Sequence, residues 1–560
     1  MKKIPKGISD FKYLRRRGYE WIDKSLLIRD MIDSSPQVML FPRPRRFGKT
    51  LNLSMLRYFF ERADDNCADL FEGALIQQQD EAYWLEQGQY PVIFLSFKEV
   101  KGENWSVCYE TLKEQLILEV ERQATKISNH SLTDTEKGFF DKLISGKATE
   151  STYRTCLLHL SQILHRHTQK SVIVLIDEYD VPIHNAYLNG FYDQAITFMR
   201  TFLGSVLKDN SALHKGVITG ALRIAKESIF TDLNNVSTYS VLNQHYASYF
   251  GFTETEVLSL LETYQFSPMF DEVRKWYNGY QFGQKTIYNP WSILSFIESG
   301  EKQCRPYWVN TSDNALIRQL MEKQPPQFRI DFELLIQGNT IEKTIAEHIV
   351  LNDLNHLSEQ VWSFLLFTGY LNAIDRCFDE RENQFFYTLQ IPNLEVKWLF
   401  EQIFRQWLEK GVGDDPKQML RCLVSGNVAD FSAAFADYVM NSVSLFDLAD
   451  KQPERIYHAF VLGLLVQLQS THEVKSNRES GFGRYDVMLI PKDPTQLGII
   501  IEFKRTFPER GDTLESAAEA ALKQIEEKRY AQELQQRGIN NTLSLGIAFL
   551  GKHVCIKHKS

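Results

Sequence analysis

Four short apolar runs mark the first part of the chain, at residues 37–41, 91–96, 171–176 and 216–219. None alternates with polar positions. Each is almost continuously apolar, which is the pattern of a parallel strand covered on both faces. Longer stretches with helical spacing join them and suit right-handed crossovers. Residues 1–252 therefore predict an α/β, parallel-sheet, nucleotide-binding domain. Over 253–450 the period becomes mainly helical, as at 253–262, where Thr253 and Glu256 have capping-box spacing. Aromatic turns interrupt it: Trp276-Tyr-Asn-Gly-Tyr280, Tyr288-Asn-Pro-Trp291 and Phe367-Thr-Gly-Tyr370. This stretch reads as a helical lid and connector whose aromatics pack against Gly and Pro turns. From 451 to 560 the pattern is mixed again: an apolar helix at 457–465, strands at 486–490 and 498–504, an amphipathic helix at 514–537 and a strand at 543–550. That order is enough for a small sheet-centred α/β domain.

Bulk properties narrow the class. A chain of 560 residues is too long for one core. No apolar run approaches the roughly 20 residues needed to span a bilayer, so no membrane association is expected. The first residues, Met-Lys-Lys-Ile-Pro-Lys, lack a signal-peptide core. The 7 cysteines are scattered without a C-x-x-C pair, which points away from zinc ribbons and disulfide frameworks and towards the cytoplasm. The net charge of −8 is unevenly spread: residues 1–60 carry 14 Lys/Arg against 5 Asp/Glu, or +9, leaving −17 for the remainder. This N-terminal excess suits phosphate chemistry on a nucleotide with a solvated helix face, or a DNA-contacting surface.

The first strand runs into Arg43-Pro-Arg-Arg-Phe-Gly48-Lys49-Thr50 and an apolar helix. Strand, loop, Gly-Lys-Thr and helix make a P-loop in which Arg43 stands where the first glycine is usual. Backbone N–H groups across Arg45, Arg46, Phe47, Gly48, Lys49, Thr50 and Leu51 would hold phosphate. Lys49 would reach the β/γ-phosphates of ATP and Thr50 would ligate Mg²⁺. The third strand ends in Asp177-Glu178, a Walker B arrangement, with Asp177 on the metal and Glu178 orienting the hydrolytic water. Thr219, at the end of the next strand, lies where a polar sensor would stand. Arg223 suits a phosphate contact in cis, a contact to a neighbouring subunit in a homo-oligomer, or a plain salt bridge.

Near the C-terminus, Asp486 starts one strand and Glu502-Phe-Lys504 ends another. Alternation sends Glu502 and Lys504 to one face and Phe503 to the other. Two carboxylates and an ammonium converging between strands can hold Mg²⁺ and orient a water against a phosphodiester. The polar, Gly-rich stretch 477–483 precedes them, Gln524 and Tyr530 follow on the helix, and Lys504, Arg505, Lys523, Lys528 and Arg529 form a basic set.

With Asp486, Glu502-Phe-Lys504 and the downstream Gln524, the C-terminal region resembles the PD-(D/E)XK nuclease superfamily. With Arg43–Thr50, Asp177-Glu178 and Thr219-Gly-Ala-Leu-Arg223, the N-terminal region resembles the AAA-ATPase-like domain found fused to it in bacteria. Trp21-Ile-Asp-Lys-Ser25, Tyr277-Asn-Gly-Tyr280 and Asn477–Asp486 match the sequence habits of that two-domain family. The resemblance implies that Asp486 and Glu502 ligate metal, that Lys504 positions or activates the attacking water, and that Gln524 and Tyr530 line the site. Glu479 is an additional candidate carboxylate. Two departures stand: the P-loop lacks its first glycine, and no second acid adjoins Glu502. The expected activity is ATP-regulated, Mg²⁺-dependent cleavage of nucleic acid, with DNA the expected substrate, in defence or mobile-element control. The alternatives are a nucleotide-switched interaction module with an inactive nuclease fold, and a ring-forming DNA motor with a nuclease tail.

Overall fold

The computed structural model describes residues 2–559 apart from 64, 66, 128–130, 224–234, 310–316, 318–319, 321–325, 349–357, 411–415, 442–460, 462–463, 466–467, 469, 481–482, 507–510 and 551–552. The expected helix at 457–465 falls largely outside these residues, as do the side chains at 477–484, Glu479 included, and that of Arg505. The chain divides into two compact units, Met1–Leu320 with Glu342–Val396, and Met321–Ile341 with Lys397–Ser560. No helix among the described residues is long and apolar enough to cross a membrane.

In the first unit the apolar runs become strands β1 (Val38–Pro42), β2 (Val92–Ser96), β3 (Val172–Asp177) and β4 (Leu213–Gly220). A short fifth, β5 (Val236–Thr238), completes a parallel sheet in the order β2-β3-β4-β1-β5. Every residue of β1 and β3 is buried, in keeping with their unbroken apolar character. β5 is a half-buried edge of three residues, Val-Ser-Thr, with no apolar run to announce it. Because β4 lies between β1 and β3, the ends of those two strands are separated by the end of β4, where Thr219 stands.

The rest of this unit mixes helices with two small sheets. Strands β6 (Phe252–Thr253), β7 (Tyr280–Phe282) and β8 (Lys285–Tyr288) pair in the order β6-β8-β7. Strands β9 (Ile341–Thr344), β10 (Asn372–Asp379) and β11 (Gln384–Gln390) pair in the order β10-β11-β9. The helix Glu254–Thr263 opens with the anticipated capping box between Thr253 and Glu256. Glu256 also receives Lys24, whose Nζ lies 2.7 Å from both its carboxylate oxygens and 2.7 Å from Ser248 O. Lys24 of the Trp21–Ser25 motif is thus a buried staple. Much of the N-terminal positive charge is answered locally: Lys12 and Arg16 pair with Asp65, Arg16 also approaches Asp69, and Arg15 donates to the carbonyls of Leu70 and Glu72.

The second unit holds a five-stranded sheet of β12 (His472–Ser480), β13 (Gly483–Pro491), β14 (Gly498–Arg505), β15 (Thr542–Leu550) and β16 (His553–Lys559), in that order. All neighbours are antiparallel except β14 and β15, which the helix Leu514–Glu527 connects as a crossover. Alternation divides β14 between two cores. Ile499, Ile501 and Phe503 pack with Val487, Leu545 and Phe549 beneath the helices around Met419 and Phe435. Ile500 faces the other way, among Met488, Ile525 and Tyr530. Glu502 and Lys504 share its parity and so face the crossover helix.

That helix lies almost in contact with the sheet backbone. Ala517, Ala518 and Ala521 line its inner face, and Gly546 of β15 pairs in register with Glu502. A Cβ at position 546 would clash with the Ala518 carbonyl and stand 3.0 Å from Leu522 N. Backbone cannot yield as a flexible side chain can, so only glycine lets the helix dock here. Gly546→Ala is expected to destabilise the C-terminal unit by about 1–3 kcal/mol, as overpacking does. Chemical denaturation of the full chain should show the loss in the transition of this unit; an unchanged transition contradicts the contact.

Candidate nucleotide and metal sites

The helix Lys49–Phe60 starts at Gly48, whose φ of +83° turns the loop into its first turn. Within the loop only Arg46, at φ +70°, shares that backbone region; Arg43 does not. The bend that a first glycine would supply is therefore made further along, and position 43 tolerates a side chain. The Arg43 guanidinium leaves the loop altogether. It is fully buried, donates to the carbonyls of Pro42 and Tyr239, and lies over the rings of Phe250 and Phe282 at 5.0 and 5.2 Å.

Lys49 is 4% exposed, and its Nζ donates to Arg43 O at 2.9 Å and Pro44 O at 3.0 Å, across the loop. Burial lowers its proton affinity, while Glu178, Asp180 and Asp177 act in the opposite sense. Asp177 is entirely buried at the end of β3 and accepts on both oxygens: from Thr50 Oγ1 at 2.7 Å and from Thr219 Oγ1 at 2.6 Å. Thr219 is thus joined to the Walker B acid. Arg223 pairs with Glu347, Nη1 to Oε2 at 3.3 Å, the salt-bridge arrangement among the three its sequence context allowed. Glu178 follows Asp177 with φ +52°, and burial raises its carboxyl, opposed chiefly by Lys49. Mg²⁺ has its candidate ligands in Thr50 and Asp177, whose oxygens already meet.

One residue of this site escaped the sequence reading. Asp180 is buried and accepts from the backbone N–H groups of Ala221 and Leu222 at 2.8 and 3.0 Å, fastening the segment after β4 to the segment after β3. Tyr179 OH reinforces it by donating to Leu222 O. Gly220 permits this approach, since a Cβ there would lie 2.6 Å from Asp180 Oδ1 and 2.7 Å from the Tyr179 ring. The available signal was the last acid of Asp-Glu-Tyr-Asp followed by a glycine at the next strand end.

The other site rests on β13, β14 and the crossover helix. Asp486 Oδ2 accepts from Phe503 N at 2.8 Å, and Asp486 N lies 3.4 Å from Glu502 Oε2, so each acid is tied to the other's strand. Glu502 is 2% exposed. Gln524 Nε2 donates to Glu502 Oε1 and lies 3.3 Å from Tyr530 OH, while Lys504 Nζ is 3.7 Å from Glu502 Oε1. Burial first, and the Asp486 charge second, push the Glu502 carboxyl up to about 8, against the pull of Lys504. Two acids so close favour a divalent cation, which would relieve their repulsion. Among the described residues no three His, Cys, Asp or Glu side chains form a metal-binding group. Of the basic set, Lys523 pairs with Glu527 at 3.5 Å, and Lys528 and Arg529 are exposed at the helix end.

Comparison with known proteins agrees with this division. Residues 5–230 match the family model described as predicted AAA-ATPase, and residues 452–559 match the PD-(D/E)XK nuclease superfamily. A protein of Azotobacter chroococcum mcd 1, described as an uncharacterized protein in the vnfD 5' region, is 26% identical over 566 residues, covering 96% of this chain and 94% of its own. The chain thus carries an N-terminal region that matches the predicted AAA-ATPase family and a C-terminal region that matches the PD-(D/E)XK nuclease superfamily.

Proposed function

We propose that the protein binds and hydrolyses ATP through Lys49, Thr50, Asp177 and Glu178, and that its nucleotide state governs Mg²⁺-dependent cleavage of DNA phosphodiesters at Asp486, Glu502 and Lys504. A role in defence or mobile-element control suits this pairing. The observation that carries the reading is the meeting of Asp486, Glu502, Lys504 and Gln524, which come from three separate elements. At the nucleotide site, Lys49 is held where a phosphate can take over from the loop carbonyls it now serves, and Glu178 is available to orient water. At the other site a bound Mg²⁺ would supply Lewis-acid polarisation of the scissile phosphate. The protein groups divide the remaining work. Gln524 fixes the rotamer of Glu502, Lys504 orients the attacking water, and exposed Lys528 and Arg529 offer charge to the phosphate backbone. A second reading, a nucleotide-switched binding module with an inactive nuclease fold, draws on the sequence, in which no second acid adjoins Glu502.

Lys49→Ala is expected to abolish ATP binding, measured by calorimetry; unchanged affinity contradicts the nucleotide assignment. For cleavage, supercoiled plasmid, linear DNA and RNA would be incubated with Mg²⁺ or Mn²⁺, with and without ATP. Glu502→Gln and Lys504→Ala should each lower the cleavage rate by about a hundredfold or more, as loss of an essential acid–base or metal-binding group does. Metal-dependent DNA binding without any product would favour the second reading. Metal affinity should also follow pH. Glu502 holds its proton up to about pH 8 and must release it to ligate. Affinity for Mg²⁺ should therefore rise by roughly tenfold per pH unit below that value and level off above it. A flat profile over that range would show that Glu502 is not a ligand.

A further inference from the structure

The aromatic turns between residues 276 and 370 read in the sequence chiefly as packing against Gly and Pro turns. Tyr280 and Trp291 of these turns pack against the P-loop itself. The Phe47 ring stands between Tyr280 and Phe282, with centroids 5.0 and 5.3 Å away, and Phe47 O accepts from Gly251 N at 3.0 Å. The Arg46 guanidinium lies 4.1 Å over Trp291. Trp308 is 1% exposed, its ring rests against Tyr280 and Tyr370, and its indole Nε1 donates to the carbonyl of Arg45 at 3.2 Å. Trp308 is fixed in turn by Glu395, a fully buried carboxylate that accepts from Trp308 N at 2.6 Å and from Ser292 Oγ at 2.8 Å.

The Arg45 carbonyl and the Arg46 N–H belong to one trans peptide, so they point in opposite directions. A donor that holds the carbonyl on the outer side of the loop also aims the N–H inward, where phosphate oxygens would sit. We infer that Trp308, held by Glu395, is a positioning residue for the nucleotide phosphates, acting by fixing the Arg45–Arg46 peptide. This deepens the ATP-binding reading and rests on it. It also gives a reason why a loop without its first glycine keeps its shape: the restraint comes from outside the loop, from residues more than 200 positions downstream.

Trp308→Phe tests this in the full chain, because it keeps a six-membered ring against Tyr280 and Tyr370 while the indole donor is lost, and the nucleotide-free melting temperature reports the cost of the smaller ring. ATP affinity should fall by about fivefold, the effect of one lost hydrogen bond, a loss that persists at temperatures well below the melting transition of the nucleotide-free variant. In steady state the loss should raise KM and leave kcat near the wild-type value. Glu395→Gln, whose side-chain oxygen still accepts from Trp308 N–H, should bind ATP within about twofold of wild type, whereas Glu395→Leu should match Trp308→Phe. Wild-type affinity in Trp308→Phe, or a loss that only tracks a lowered nucleotide-free melting temperature, would overturn the inference while the ATP reading stands. A wild-type chain that binds no ATP would defeat both.

Discussion

Asp177 is a carboxylate taken out of water at the end of a central strand, and much of the first unit is arranged to keep it there. Removing a charge from solvent costs several kcal/mol unless strong hydrogen bonds replace the lost hydration. Thr50 and Thr219 provide them, one from the helix after β1 and one from β4. Those two bonds tie three elements together at one point. They set the start of the P-loop helix against the end of β3 and leave Lys49 beneath the loop. Asp180 repeats the device three residues later, this time with backbone N–H groups.

The second unit meets the same constraint differently. Glu502 is nearly as buried as Asp177, but its neighbours are an amide, a partly exposed lysine and another acid. Its charge is left under-compensated, and the carboxyl is raised in consequence. A structural ion pair would be expected to lower it, as in the cluster of Glu61 with Arg122, Arg57 and Lys126, where the carboxyl is held down to about 2. The Glu61 cluster is thus a satisfied ion-pair network, whereas Glu502 is a buried acid whose charge its neighbours leave under-compensated.

Much of the architecture was legible because burial on both faces writes itself into composition. β1, β2 and β3 are nearly unbroken apolar runs, and the parity of Glu502, Phe503 and Lys504 follows from strand alternation alone. β5 was not legible, since a half-buried edge strand of Val-Ser-Thr has no periodicity to detect. Asp180 was visible as a residue but not as a clamp, because its partners are backbone N–H groups on another strand end. Gly546 was equally silent: its importance lies in the nearness of the Ala518 carbonyl, a contact between two elements that no local pattern encodes.

Residue types and their spacing determined the chemistry on offer: an amine, a hydroxyl and acids suited to phosphate and metal at one end, two acids with an ammonium and an amide at the other. They also determined the strands that carry these groups, because strand alternation and continuous burial are properties of local sequence. Tertiary structure alone decided which groups meet. It sent Arg43 away from the loop, turned Arg223 towards Glu347, and brought Trp308 and Glu395 behind a loop more than 200 residues away. Contacts of that kind depend on how separate elements pack, and packing follows from shape complementarity across the whole unit, which short-range pattern does not record.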